Sequence, residues 1–481
     1  MKKNKRILSL VIAVLIITSC GTRHTIEQNT EILKIDPSKI LKIDSIFSMY
    51  NDNTPGSAIA IIQDSEIVFM KSYGMADPKR KIPITPETKF LIGSNTKQFT
   101  CMAILLLEKS GKLNINDPIR RYLPQLPEYA DSITIKQLMQ HTSGIIEYNP
   151  LLFLSGIKKH ECELSNDDIF DLISKYQKTC YKPGEKFFYS NTAYILLSKI
   201  IEKASLKTYS DFLHENIFAP LGMNNSKVIT SRNDYKNVAM GFNYITDYKP
   251  VNCTMITTGA SGIITTLEDM CKWILNYNSD KPGISDRLLV KRMVTKGILN
   301  NGDSTNYGLG LFIDKYCTQK VYWHGGNITG YTSNIIMLPN EKTSIIILSN
   351  NMDMIPYEHR FDVVKILYGD CKIPSNDLFQ ENEIRAEFKK KQSEFDNTTI
   401  ELNEYAGKYG IPGFAKYFEV IVINGRLIAK IDNLEFKLNQ AFEDTFISVP
   451  MIFEFQRDKK NIITGIALSG EKFRNLELVK I

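Results

Sequence analysis

The chain lacks the sequence patterns of several common protein classes. Its 481 residues include eight cysteines but no C-x-x-C pair, and its six histidines show no paired spacing typical of a metal site. These absences argue against a zinc site or a thioredoxin-type redox centre. No glycine-rich loop follows a predicted strand in the way that nucleotide phosphates require. We therefore expect neither a metal nor a cofactor.

Excess charge and long apolar runs are also missing outside the N-terminus. Four of the six net positive charges come from Lys2, Lys3, Lys5 and Arg6, so the rest of the chain is nearly neutral. This balance gives no support to a nucleic-acid partner. The N-terminal apolar run, residues 7–17, has eleven residues and is too short to span a bilayer as a mature helix.

The first 21 residues resemble a bacterial lipoprotein signal. A basic start and the apolar run lead into Thr18-Ser19-Cys20-Gly21. The resemblance implies a signal peptide over 1–19, cleavage before Cys20 and lipid on its thiol, which would anchor the protein at a membrane of the cell envelope. The alternative is an ordinary secretory signal. The polar residues 20–37 are interpreted as a tether.

The order of predicted elements favours an α+β fold. Strand patterns occur early, at Ser57–Gln63 and Glu66–Tyr73, and return at 331–338 and 343–350. The stretch between them is mainly helical, with predicted helices at 134–140, 166–177, 191–203, 209–216 and 267–277. This order predicts an antiparallel sheet flanked by helices, with a helical lobe, over residues 38–372.

A second, smaller domain is predicted at the C-terminus. Residues 373–400 are charged and poor in apolar side chains, which is typical of a linker. Residues 401–481 alternate in short runs separated by turn residues, indicating an all-β module of six to eight strands. The segment Leu402–Tyr409 is similar to the start of small lipocalin-like β-barrel domains, and the module carries no recognisable catalytic set.

Ser94 and Lys97 form the first chemical motif. They lie three residues apart at the start of a helix predicted over 94–109, so their Cβ atoms should be ~5–6 Å apart on one face. A serine hydroxyl needs a neighbouring base to act as a nucleophile, and a buried lysine with a lowered pKa can serve. A capping serine with an exposed lysine is the alternative, because this motif alone is weak.

Two further motifs give the pair its context. They are Tyr189-Ser190-Asn191 and His324-Gly325-Gly326-Asn327. Together with Ser94-x-x-Lys97, in this order, they resemble the serine β-lactamase and penicillin-binding-protein superfamily, in the branch of class C β-lactamases, related esterases and D-amino-acid peptidases. The resemblance spans about residues 40–350.

The resemblance implies a role for each residue. Ser94 would attack a carbonyl and form an acyl-enzyme, while Lys97 and Tyr189 would exchange protons with it. Which of the two is the general base stays open. Asn191 would orient Lys97 and bind a substrate amide. The substrate is then a small molecule or peptide containing an ester or amide; the oligomeric state is not predicted.

The third motif departs from the β-lactamase pattern. His324 and Gly325 stand where a lysine and a threonine normally help to bind the carboxylate of a β-lactam, so esterase or peptidase activity is favoured. Gly325 and Gly326 let the strand approach a substrate, and the N–H groups of Ser94 and Asn327 would form an oxyanion hole. By contrast, the resemblance makes His141, in His141-Thr142-Ser143-Gly144, a structural turn.

The sequence therefore predicts an exported serine hydrolase with His324 in its catalytic set. Two alternatives stay open. One is a penicillin-sensitive D,D-peptidase, and the other is an envelope lipoprotein that binds peptidoglycan peptides without cleaving them.

Overall fold

Two domains are visible in the computed structural model, which describes residues 31–157, 164–243, 248–251, 256–277, 284, 286–352, 356–370, 401–470 and 473–481. The first domain is an antiparallel sheet with helices on both faces, and the second is a closed β-barrel. This confirms the predicted α+β fold with its all-β C-terminal domain. The predicted signal peptide, Cys20 and the linker at 373–400 lie outside the described residues.

The first domain contains the strands β1 (Ile32–Leu33), β2 (Ser57–Gln63), β3 (Glu66–Tyr73), β4 (Met75–Asp77), β5 (Ile82–Pro83), β6 (Phe90–Leu91), β7 (Lys227–Val228), β8 (Gly241–Asn243), β9 (Lys249–Val251), β10 (Ile263–Thr265), β11 (Phe312–Tyr316), β12 (Gln319–Ile328), β13 (Tyr331–Leu338) and β14 (Thr343–Ser349). Its helices are α1 (Pro37–Ile46), α2 (Thr96–Lys109), α3 (Ile135–Met139), α4 (Tyr148–Ser155), α5 (Asn166–Lys175), α6 (Asn191–Ser205), α7 (Tyr209–Leu213), α8 (Leu267–Tyr277), α9 (Arg287–Met293) and α10 (Pro356–Tyr368).

The main sheet joins the two ends of this domain. Its strand order is β1-β3-β2-β14-β13-β12-β11, and each neighbouring pair is antiparallel. The early strand β2 pairs with the late strand β14, so Ile59 lies opposite Ile347. β2 and β3 have the predicted bounds, because each is an apolar run ended by a tight turn.

The sheet is buried on both faces. Alternate residues of a strand point to opposite sides, so Ile59 and Ile61 join a core with α1 and α10, while Ala58 and Ala60 join the core on the other face. Helices α2 and α6 pack together on that second face, which also carries the helical lobe. The elements that meet at this second face supply the candidate site.

The predicted tether ends earlier than residue 37. Ile32 and Leu33 form β1 and pair with Met70 and Phe69 at the edge of the main sheet. Short apolar pairs can extend an exposed sheet edge, because the edge strand offers unpaired N–H and C=O groups. The ordered first domain therefore begins inside the range predicted as a tether.

The C-terminal barrel has eight strands, at the upper end of the prediction. They are β15 (Gly407–Gly410), β16 (Tyr417–Ile423), β17 (Arg426–Ile431), β18 (Leu434–Phe442), β19 (Thr445–Ser448), β20 (Met451–Arg457), β21 (Ile463–Gly470) and β22 (Phe473–Lys480). Closure leaves no strand edge unpaired, and buried aromatic rings such as Phe418, Phe453 and Phe455 fill the interior.

The barrel rests on the helical lobe. The Asn475 side-chain amide donates to the Cys180 carbonyl at 2.9 Å, and the Lys416 backbone N–H donates to the Leu154 carbonyl at 2.9 Å. Buried apolar residues of both domains form one continuous cluster. The two domains are therefore packed together through side chains as well as joined along the chain.

Four cysteines lie among the described residues. Cys101, Cys180 and Cys271 are buried free thiols, which pack as small apolar side chains. Cys317 is disulfide-bonded.

Candidate active site

Ser94 lies in a turn at the start of α2. A one-turn 3-10 helix, Gly93–Asn95, carries it, and the α-helix itself begins at Thr96, two residues later than predicted. The Ser94 side chain is half-buried, whereas Lys97 in the first turn of α2 is fully buried. The Lys97 Nζ atom lies 3.0 Å from Ser94 Oγ. The predicted pair is therefore in direct contact.

Lys97 has a closely packed polar environment. Its Nζ donates to Asn191 Oδ1 at 2.9 Å and to the Ala260 carbonyl at 2.9 Å. The rings of Tyr189 and Tyr194 lie 4.8 Å and 5.3 Å from the same nitrogen. Three segments that are distant in sequence thus converge on one amine.

Burial controls the protonation of Lys97. Loss of solvation lowers its pKa to about 7, because water no longer stabilises the ammonium form. The negative charge of Glu147 acts in the opposite direction and raises this pKa, but less strongly. A substantial share of the Lys97 side chains is therefore neutral at physiological pH and able to accept a proton.

Tyr189 lies beside Lys97, two residues before the start of α6. It is half-buried, and its ring lies 4.3 Å from His141, 6.1 Å from His324 and 6.3 Å from Phe312, measured between ring centroids. This packing leaves the phenol few orientations. The structure therefore brings Tyr189 together with Lys97 and Asn191.

His141 lies beneath Tyr189 and is fully buried. Its backbone adopts the left-handed conformation, with φ of 57°, and its Nδ1 accepts a hydrogen bond from the Ser190 backbone N–H at 3.0 Å. Burial holds the His141 pKa well below its usual range, so the ring is neutral. His141 thus shapes the turn that supports the Tyr189 segment.

His324 in β12 is held by two hydrogen bonds. Its Nδ1 lies 2.7 Å from the Gly325 carbonyl and must donate to it, so Nε2 accepts from the Tyr307 hydroxyl at 3.0 Å. Burial lowers its pKa to about 3, with a further lowering by the Lys97 charge. Both ring nitrogens are engaged within the protein, and the ring stays neutral.

The glycines of the third motif allow β12 to lie against the Ser94 turn. A Cβ atom on Gly326 would fall 2.0 Å from the Ile92 carbonyl oxygen, and one on Gly93 would fall 2.9 Å from the Asn327 backbone nitrogen. Only glycine fits at such approaches. The Asn327 amide therefore lies beside the turn that carries Ser94, and Gly325 pairs with Asn334 within the sheet.

Glu147 is a site residue that the sequence analysis missed. It is 3% exposed, and it accepts hydrogen bonds from the Asn191 backbone N–H at 2.8 Å and the Ser190 hydroxyl at 3.1 Å. A lone glutamate 53 positions after Ser94 has no spacing signal that could have found it. Its importance is visible only once the residue before α4 is seen to bind the first turn of α6.

The described residues contain no cluster of histidine, cysteine or acidic side chains able to hold a metal ion. In the same part of the chain, no helix is long and apolar enough to cross a membrane.

The fold and the grouping of Ser94, Lys97, Tyr189 and the glycine-rich strand define a protein of the β-lactamase and transpeptidase class. Comparison with known families agrees, because the family model described as Beta-lactamase matches residues 43–364. The chain therefore belongs to the beta-lactamase family.

Two curated relatives share about a quarter of their aligned residues with this chain. The chain is 28% identical to penicillin-binding protein 4* of Bacillus subtilis over 316 residues, covering 62% of this chain and 68% of that protein. It is 26% identical to Protein flp of Staphylococcus aureus over 329 residues, 66% of this chain and 64% of that protein. The chain thus spans about two thirds of the length of these curated relatives.

A solved structure matches both domains. The octameric penicillin-binding protein homologue from Pyrococcus abyssi shares 26% identity, with a TM-score of 0.59 over 92% of this chain and 98% of that chain. The coverage extends beyond the residues matched by the family model, so the similarity includes the C-terminal barrel.

Proposed function

We propose that this protein is a serine hydrolase that cleaves an ester or amide through an acyl-enzyme on Ser94. The observation that carries the proposal is the 3.0 Å contact between a half-buried hydroxyl and a fully buried lysine whose pKa is lowered to about 7. A lysine that served only structure would have no need to be desolvated beside an accessible serine.

Neutral Lys97 is the general base for acylation in this proposal. Ser94 Oγ attacks the carbonyl carbon as its proton passes to Lys97 Nζ, giving a tetrahedral intermediate. Collapse of the intermediate breaks the bond to the leaving group, which takes a proton as it departs. Water then attacks the acyl ester and gives a proton to the Tyr189 phenolate left by the first step, while Lys97 returns its proton to Ser94 Oγ as the acid is released.

Tyr189 and the strand β12 complete this mechanism. Tyr189, 4.8 Å from Lys97 Nζ at its ring centre, supplies a proton to the leaving group. The N–H groups of Ser94 and Asn327 stabilise the oxyanion, a role supported by the close approach of Gly93 to the Asn327 amide. Losing one such donor typically costs ~3–4 kcal/mol of transition-state stabilisation.

The third motif favours simple esters and amides over β-lactams. His324 is neutral with both nitrogens engaged, so it offers no cation to a β-lactam carboxylate, and Gly325 offers no hydroxyl. In this proposal the neutral His324 ring is held in one orientation and lines the site without binding a charged substrate group. We expect short-chain p-nitrophenyl esters to be hydrolysed faster than nitrocefin, and the reverse ranking would contradict this assignment.

A penicillin-sensitive D,D-peptidase is the second candidate. It is supported by the similarity over 316 residues to a relative named penicillin-binding protein 4*. A fluorescent penicillin separates the two candidates, because a stable adduct on Ser94 supports the peptidase and rapid ester turnover without an adduct supports the esterase.

We also propose that the protein acts at the cell envelope as a lipoprotein anchored at Cys20. The disulfide at Cys317 supports export, since disulfides persist in oxidising compartments. Clickable fatty acid should label the wild type but not the variant Cys20→Ser. Equal labelling of both proteins would refute the anchor.

The acyl-enzyme is tested by labelling with a fluorophosphonate and measuring intact mass. We expect one adduct on the wild type and none on Ser94→Ala. Ser143→Ala is the matched control, because Ser143 is a motif serine to which the proposal gives no catalytic role, and this variant should keep the label. Labelling that survives in Ser94→Ala, or no labelling of any protein, would support the non-catalytic binding alternative or another nucleophile.

A further inference from the structure

Glu147 is a deeply buried carboxylate beside the site, yet it contacts neither Ser94 nor Lys97 through a hydrogen bond. It precedes α4, but its side chain accepts hydrogen bonds from the first turn of α6, next to the capping residue Ser190. Its Oε2 accepts from the backbone N–H of Asn191 at 2.8 Å and of Thr192 at 3.3 Å. A carboxylate there also matches the positive end of the α6 dipole.

The second oxygen of Glu147 faces the side chain of Asn191. Glu147 Oε1 accepts from Asn191 Nδ2 at 3.3 Å and from Asn149 Nδ2 at 3.1 Å. Burial raises the pKa of the Glu147 carboxyl, while hydrogen bonds from Thr192, Asn191 and Ser190 lower it. The ionised carboxylate can only accept hydrogen bonds, so it selects the amide orientation of Asn191 that presents NH₂ to it. The opposite end, Oδ1, is then fixed toward Lys97 Nζ at 2.9 Å.

We propose that Glu147 is a positioning residue, which orients the Asn191 amide so that Lys97 is held against Ser94 in the geometry that acylation requires. The inference rests on the proposed serine hydrolase function. It adds a chain of hydrogen bonds that begins at the Glu147 carboxylate and passes through the Asn191 amide. The chain then continues through the Lys97 amine to the Ser94 hydroxyl.

The charge of Glu147 also acts on Lys97 across this chain. It raises the Lys97 pKa, as does Cys101, whereas burial lowers it. The other titratable groups around the amine are Tyr189 and Tyr194, and His141 and His324 are neutral through burial. Removing the charge at position 147 should therefore lower the Lys97 pKa and move the rise in activity to a lower pH.

The test compares Glu147→Gln with the wild type in ester hydrolysis from pH 5 to 9. Glutamine keeps the shape but can rotate its own amide, so it no longer selects one orientation of Asn191. We expect kcat to fall by about 10- to 100-fold with KM changed by less than about threefold, and the rising limb of the profile to move to lower pH.

Two matched variants separate positioning from general damage. Asp269 is another buried carboxylate near a helix start, and it accepts from the Asn225 backbone N–H and the Ser226 hydroxyl, away from the site. Asp269→Asn should keep kcat and the pH profile. In an Asn191→Ala background, adding Glu147→Gln should lower kcat by less than threefold, because the residue through which it acts is already gone.

The possible failures are distinguishable. If Ser94→Ala stays active, the proposed function is wrong. If Ser94→Ala is inactive while folded Glu147→Gln keeps the wild-type kcat and pH profile, only the positioning role is overturned. The same conclusion follows if Glu147→Gln lowers kcat as much in the Asn191→Ala background as in the wild type. Should Glu147→Gln fail to fold, Glu147→Asp carries the test, since it keeps the charge but shortens the reach; an unchanged kcat in that variant overturns the proposal.

Discussion

The protonation of Lys97 makes the rate of Ser94 acylation depend on pH near neutrality. With a pKa of about 7, roughly a tenth of the Lys97 side chains are neutral at pH 6 and nine tenths at pH 8. If neutral Lys97 removes the Ser94 proton, acylation should therefore accelerate about tenfold between these values. A solvent-exposed lysine would be neutral in only roughly one molecule in a few thousand at pH 7.

The perturbation is Lys97→Arg. A guanidinium stays protonated throughout this range, so it keeps the positive charge but cannot act as a base. We expect the acylation rate to fall by about 100- to 10,000-fold, the usual contribution of general base catalysis, and to lose its rise between pH 6 and 8. Lys199→Arg, on α6 and outside the site, should retain the wild-type rate and profile.

The assay is the second-order rate of labelling by a fluorophosphonate, because this probe has no group that titrates in the range. Rates are measured between pH 5.5 and 8.5 on protein whose fold is checked by circular dichroism at each pH. A wild-type rate that is constant over this range, or a Lys97→Arg variant that labels as fast as the wild type, would refute Lys97 as the base and favour Tyr189.

Three further predictions concern the supports of the site and the barrel. Gly326→Ala should lose most activity and about 3 kcal/mol or more of stability, measured by urea unfolding, because its Cβ would meet the Ile92 carbonyl at 2.0 Å; full activity would contradict the close approach. The free energy of unfolding should fall below pH 6.5, and His324 should contribute about 1.4 kcal/mol per pH unit to this fall. The reason is that the His324 pKa is about 3 in the folded protein, below its pKa in the unfolded chain, so unfolding takes up a proton. His324→Gln should make the fall less steep, and an unchanged slope would contradict the buried neutral ring. Arg457→Leu should lower the melting temperature of the protein by several degrees, because its guanidinium binds Asp444; an unchanged melting temperature would show that this ion pair adds nothing.

Several features of the fold could be predicted because they depend on local pattern. The apolar runs of β2 and β3 have sharp ends, and the three-residue spacing of Ser94 and Lys97 places both on one helical face. The barrel strand β18, Leu434–Phe442, carries a local signal too, because apolar and polar residues alternate from Leu434 to Asn439.

The remaining site features depend on tertiary contacts. Glu147 meets Asn191 because the turn before α4 lies against the start of α6, and Tyr307 meets His324 although 17 positions separate them in the chain. The resemblance to known families identified the motif residues, but the carboxylate behind them lies in no motif. Such supporting groups are found by listing which buried polar atoms form hydrogen bonds with one another in the folded protein.

The contacts between the C-terminal barrel and the first domain limit how chimeric proteins can be made. β22 runs along the segment that leads to Tyr189: the Glu477 backbone N–H donates to the Tyr176 hydroxyl at 3.0 Å, and the Arg474 guanidinium lies 5.7 Å from the centre of the Phe188 ring. A barrel from another protein, fused to this first domain, would have to reproduce these two contacts. Without these contacts, the segment before Tyr189 would lose its packing on one side. The barrel therefore cannot be exchanged independently of the first domain.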